Sequence, residues 1–174
     1  MSERSERSER SDLGVPGRRR LIAVVESAWE ELDAPATRRR DFCLDAISDV
    51  LETGRLAPDD AERVVERLVL VALSHETCAV RESALHAVCT ASTHYQLPYG
   101  VVKALAVGAD TFEPVLLGYV LSILGATYDR MALPVVERYL LHPDPEVRRE
   151  AAEAVDELCR SHEFARGESR TGHP

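Results

Sequence analysis

Apolar residues along this chain fall into helix-length stretches that come in pairs, each pair split by a short polar break. A Val-Val doublet opens the first member of each pair: "VVESAWEEL" at Val24, "VVERLVLVA" at Val64, "VVKALAVGA" at Val101 and "VVERYLLHP" at Val135. The spacings are 40, 37 and 34 residues. The breaks that follow are "DAPATR", "SHETCA", "GADTFEP" and "HPDPE". Their Pro, Gly, Asp and Thr residues stop one helix and cap the next. No stretch alternates apolar and polar residues as a strand does. Four helix–turn–helix units at this period predict a helical solenoid.

The second stretches align in columns. Arg40, Arg81 and Arg148 share one column, with Leu116 in the third unit. Three residues on stand Cys43, Ala84, Tyr119 and Ala151; further on come Ala46-Ile47, Ala87-Val88, Ser122-Ile123 and Ala154-Val155. At 100° per residue these positions make one apolar arc, and their small side chains let neighbouring helices approach closely. The opposite arc carries Asp41 and Asp45 in the first unit, Glu82 and His86 in the second, and Arg149 and Glu153 in the fourth. In the third unit this alignment puts Leu117, Leu121 and Leu124 on the outward arc, which makes "VLLGYVLSILGA" apolar all round. A helix apolar all round is either buried or awaiting a partner.

"DPEVRREAAEAVDEL" resembles the second helix of a HEAT repeat, and "CAVRESALHAV" is a weaker copy. The resemblance covers roughly residues 18–163. It implies an all-α fold: a short right-handed superhelix of four HEAT-like helical hairpins, with ligands docking on the face of the second helices. It also implies that turn aspartates pair with helix arginines of neighbouring repeats. Asp33, Asp110 and Asp144 lie near the turns but not in one column, so an unbroken ladder is not expected. Such solenoids serve as adaptors, transport receptors, nucleic-acid enzymes and lyase-like proteins.

Composition agrees with packed helices. The 174 residues are 45% apolar but only 5% aromatic, and the apolar share is mostly Leu, Val and Ala. Three domains of behaviour are expected: a disordered tail over 1–16, which opens "MSERSERSERSD"; the repeat domain over 17–163; and a second disordered tail over 164–174. Net charge is −9, and both tails are slightly basic, which leaves −12 on residues 21–163. An acidic body disfavours nucleic acid, whose phosphates need a basic face. No apolar run is long enough to span a membrane, and the N-terminus has no secretory h-region. Cys43, Cys78, Cys89 and Cys159 show no paired spacing and are expected to be reduced thiols, which points to the cytoplasm.

The search for chemistry is unproductive. His75-Glu76 falls in a turn and His162-Glu163 at the end of the last helix, where two such pairs cannot assemble a metal site. HExxH, GxSxG and phosphate-loop motifs are missing. Cys89 and His86 stand three apart on one helix, with nothing near to acidify the thiol. Asp41, Asp45 and Asp49 repeat every four residues with Glu52 after them, a solvated acidic stripe or a rim for a basic partner. The expectation is therefore a non-enzymatic interaction module with no catalytic residue, metal or cofactor. Its protein or peptide partner would bind Leu117, Leu121 and Leu124, with Asp41, Asp45, Glu82 and His86 around them; self-association stays open. The alternatives are a HEAT-like enzyme, lyase-like or acting on nucleic acid, and a subunit stabilised by an obligate partner.

Overall fold

The computed structural model describes residues 15–34 and 40–168, apart from the side chains of 15, 16, 41 and 161–168. Every regular element among them is helical. The first hairpin is α1 (Val15–Asp33) and α2 (Arg40–Glu52); the second is α3 (Pro58–Ser74) and α4 (Cys78–His94). The third is α5 (Tyr99–Gly108), prolonged by a 3-10 turn, with α6 (Pro114–Gly125). The fourth pairs a mixed first helix, built around α7 (Leu133–Val136), with α8 (Pro145–Glu168). The second helices stack in order, α2 on α4 on α6 on α8, and α3 lies on α5. The result is the all-α solenoid that the repeat period predicts.

Local chemistry sets the helix starts. Pro58 and Pro114 occupy first-turn positions, where a missing N–H costs nothing. Asp59 and Asp60 sit in the first turn of α3, facing the positive end of its dipole. Asp144 caps α8, its Oδ1 accepting from Glu146 N at 2.8 Å and Val147 N at 3.3 Å. Thus the sequence Asp-Pro in the last break is a helix start, one residue for each task.

The fourth hairpin departs from the expected regular helix at "VVERYLL". It runs as 3-10 over Arg130–Ala132, α over Leu133–Val136, and 3-10 again over Glu137–Leu141. A 3-10 residue advances ~2.0 Å against ~1.5 Å in an α-helix, so a short first helix spans more of the stack. The helical region also exceeds its expected bounds: α1 starts at Val15 and α8 ends at Glu168, so residues 15–16 and 164–168 are helical. The rest of the two expected tails, 1–14 and 169–174, lies outside the described residues.

The third repeat needs a correction. Leu117, Leu121 and Leu124, expected on the outward face, are buried, Leu121 completely at 0% exposure. The alignment of α6 was one residue out, which turns a helix by 100°. Pro114 and Pro145 both begin their helices, so Leu117, not Leu116, stands in the column of Arg81 and Arg148. Val80, Leu116 and Val147 then share the preceding column, and all three are buried. The outward positions of α6 are Gly118 and Ser122. This apolar helix is buried on every side except one strip, where Val115, Gly118, Tyr119 and Ser122 stand.

Ion pairs join successive hairpins through first helices. Arg67 Nη2 of α3 reaches Asp33 Oδ2 of α1 at 2.5 Å while its guanidinium lies 4.4 Å from the Trp29 ring centroid. Arg138 reaches Asp110 at 3.4 Å, and the Tyr139 hydroxyl donates to the same carboxylate at 2.5 Å. Asp60 binds both Arg18 of α1 and Arg63 of its own helix. The arginines of the second-helix column work differently. Arg81 donates to Ala72 O at 2.8 Å, and Arg148 to His142 O and Pro143 O at 2.7 and 2.9 Å. These two hold the carbonyls at the turn within their own hairpins.

Candidate partner-binding face

Stacking four second helices side by side leaves one long face made of their outward positions. Between α2 and α4 this face sinks into a groove of about 660 Å³. Asp45, Asp49 and Glu52 line it from α2, His86 and His94 from α4. Ser48 Oγ donates to Thr90 Oγ1 across the floor at 3.3 Å, which ties the two walls together. Three carboxylates spaced along one wall present acceptors suited to a guanidinium or an ammonium group.

A second groove, about 510 Å³, opens between α6 and α8. Pro114, Val115, Gly118, Tyr119 and Ser122 form one side, and Glu146, Val147 and Glu150 the other. It exists because Gly118 has no side chain: its neighbour across the gap is Glu150, whose Cγ lies 3.6 Å from where a Cβ would be. Val115 is exposed at its edge and supplies an apolar contact. Cys89 lines both grooves, so they adjoin at α4; the pair makes up the trough of the second-helix face.

The electrostatics of the trough are acidic. Arg149 is held by Glu146, Glu150 and Glu153 at 3.1, 2.6 and 2.8 Å, and these carboxylates raise its pKa still further. A cation so surrounded offers little positive field to a ligand. Burial raises the Tyr119 phenol, with the Glu82 carboxylate adding to it. Burial, then Glu150, pushes the Cys89 thiol up to about 12. A thiol at that value is not a nucleophile near neutral pH. Among the described residues no group of three or more His, Cys, Asp or Glu side chains gathers as metal ligands do.

The structure brings Asp45 and His86 together in the first groove, as the sequence reading placed them on one face. Glu82 sits further along α4, against Tyr119 of the second groove. Asp41 is on α2, but its side chain lies outside the described residues. Leu117, Leu121 and Leu124 belong to the core and not to this face. The sequence reading missed Gly118, Ser122 and Val115. The signal that could have found them is Pro114, which fixes the start of α6 and with it the outward positions.

Residues 132–162 match the HEAT repeat. Among curated proteins, none matches the chain. Two crystal structures of engineered proteins share its fold. One has a TM-score of 0.55 at 17% identity over 82% of this chain, the other 0.55 at 18% over 79%. The chain spans 40% of the first and 63% of the second. The chain is thus similar to the HEAT repeat over residues 132–162, and its fold is an all-α stack of helical hairpins.

Proposed function

We propose that this protein is a non-catalytic scaffold that holds an extended, basic segment of another protein along its second-helix face. The observation that carries the reading is the adjacency of the two grooves at Cys89, acidic on the α2–α4 side and partly apolar on the α6–α8 side. A basic side chain would lie among Asp45, Asp49 and Glu52, and an apolar one against Val115, Tyr119 and the gap at Gly118. Helices pack about 8–10 Å apart, so groove centres two helices apart lie roughly 20 Å from each other. An extended chain covers that in about six residues. Charge gives the face its selectivity and its attraction to basic partners, and the apolar contact supplies holding power. The −12 charge of residues 21–163 speaks against a nucleic-acid ligand. No helix among the described residues is long and apolar enough to cross a membrane, and the four cysteines are free thiols, which suits a reducing cytoplasm.

Selection from a random peptide library on the immobilised protein tests the reading. Enriched peptides should carry Arg or Lys about six residues from an apolar side chain, and their binding should weaken with added salt. An Asp45→Lys, Asp49→Lys double variant should lose them while keeping its circular dichroism. Enrichment of acidic peptides, or equal binding to the variant, would remove this face as the site.

A further inference from the structure

The first hairpin shows to solvent a surface that the inner hairpins bury. Val24, Val64 and Val101 occupy the same place in successive repeats. Val64 is 6% exposed and Val101 9%, but Val24 is 46% exposed. On α2, Phe42 is 57% exposed, whereas Ser83, its equivalent on α4, is half-buried. Between α1 and α2 the same surface opens a groove of about 500 Å³, lined by Ala23, Val24 and Ser27 on one side and Phe42 and Ala46 on the other. α4 and α6 each have a preceding second helix stacked on them, α2 and α4 respectively. Solenoids ordinarily cover such an end with a polar capping face. Here it is apolar.

We propose that this end face is the dimerisation surface, and that its occupant is the same face of a second copy of the chain, with the two α1 helices antiparallel. The charge distribution on α1 argues for that occupant and that orientation. Exposed Arg19 and Arg20 stand at the N-terminal end of α1, and exposed Glu30 at the C-terminal end. Their separation is about 16 Å at ~1.5 Å per residue. A two-fold axis near the helix middle sets Arg19 and Arg20 of each copy opposite Glu30 of the other, twice by symmetry. A parallel arrangement would oppose like charges. Between the charged ends, Ala23 and Ser27 meet their symmetry counterparts as small side chains. That permits a close approach of the two helices, with Val24 filling the groove beside them. The surface is separate from the second-helix trough, so dimerisation leaves both troughs open and makes the assembly bivalent.

Sedimentation equilibrium of the full chain across a concentration series tests this. The expected result is a reversible monomer–dimer equilibrium. Val24→Glu should weaken it by about tenfold or more without loss of helix content, since a charge enters a desolvated contact. An Arg19→Glu, Arg20→Glu variant should also be monomeric. Adding Glu30→Arg to that variant should restore the dimer, because the two-fold pairing is re-formed with signs reversed. A monomer at every concentration overturns the proposal. So does a dimer indifferent to Val24→Glu, and so does dimerisation that appears only after residues 1–14 are deleted, which would make that segment the occupant. Failure of the charge swap to restore association overturns the antiparallel arrangement.

Discussion

Two side chains carry sharp consequences at the scale of single residues. Leu121 is fully buried among Leu117, Leu124 and the apolar side chains of the stack. Replacing it with arginine drives an unpaired charge into that core, at a cost of about 3–5 kcal/mol. Leu121→Arg is therefore expected to be unfolded or strongly destabilised in thermal melts followed by circular dichroism, and an unchanged melting temperature would contradict its placement. Asp60 is the reverse case, a buried carboxylate that is satisfied. Burial by itself raises its pKa, but hydrogen bonds from Arg18 and Arg63 outweigh that and hold it below the ordinary 3.8. A lowered folded pKa means a stabilisation fully present above that ordinary value and lost as pH falls through the folded one. Asp60→Asn should cost about 1–2 kcal/mol at neutral pH, a figure kept modest because Arg18 and Arg63 are largely exposed. The gap between wild type and variant in urea titrations should close below pH 3.8. A gap constant with pH would show that packing, not charge, is what the substitution removed.

At the scale of elements, α6 is the instructive helix, because it holds two glycines with opposite duties. Gly118 faces the open trough, where an added Cβ meets only Glu150 Cγ at 3.6 Å. Gly118→Ala is expected to stabilise the protein by about 0.5–1 kcal/mol through helix propensity, while narrowing the trough and weakening ligand binding. Gly125 lies at the crossing with α8, where a Cβ would stand 2.9 Å from Ala154 Cα and 2.5 Å from Glu157 Oε2. Backbone cannot yield as a side chain can, so Gly125→Ala should cost about 1–3 kcal/mol. Paired denaturation curves of the two variants check the signs. This helix also marks the limit of what the sequence discloses. Hairpin number, helix positions and the stacking arc of α2, α4 and α8 are all readable from Val doublets, capping breaks and the Arg column. In α6 the Arg is absent and nearly every residue is apolar, so periodicity alone cannot tell its faces apart, and the trough at Gly118 stayed hidden. The candidate site was legible where polarity contrasts exist, at Asp45 and His86. The partners of the turn aspartates do not stand in the second-helix Arg column either: Arg67 and Arg138 lie on first helices, each as the last residue of "VVER".

At the scale of the whole molecule, each second helix packs on its hairpin partner and on the second helices of adjacent hairpins, α2 with α4, α4 with α6 and α6 with α8. Stability in such a stack is a sum of hairpin terms and nearest-neighbour interfaces, and damage at one end reaches the other only through the interfaces between. The protein provides its own reporter for this, because its single tryptophan, Trp29, is buried in α1 under the guanidinium of Arg67. Tryptophan fluorescence follows the first hairpin, whereas circular dichroism follows all four. In wild type the inner interfaces are intact, and the two signals should share one midpoint in urea. Gly125→Ala weakens the α6–α8 interface, the one furthest from Trp29. The ellipticity of that variant should begin to fall at lower urea than the fluorescence, as the fourth hairpin melts away from a stack whose first hairpin is still held by the Asp33–Arg67 and Asp60–Arg18 pairs. The converse variant, Asp60→Asn, acts at the first interface and should move fluorescence first or move both signals together. Coincident midpoints in Gly125→Ala would mean that the α4–α6 interface transmits the loss without attenuation and that the four hairpins fold as one cooperative unit.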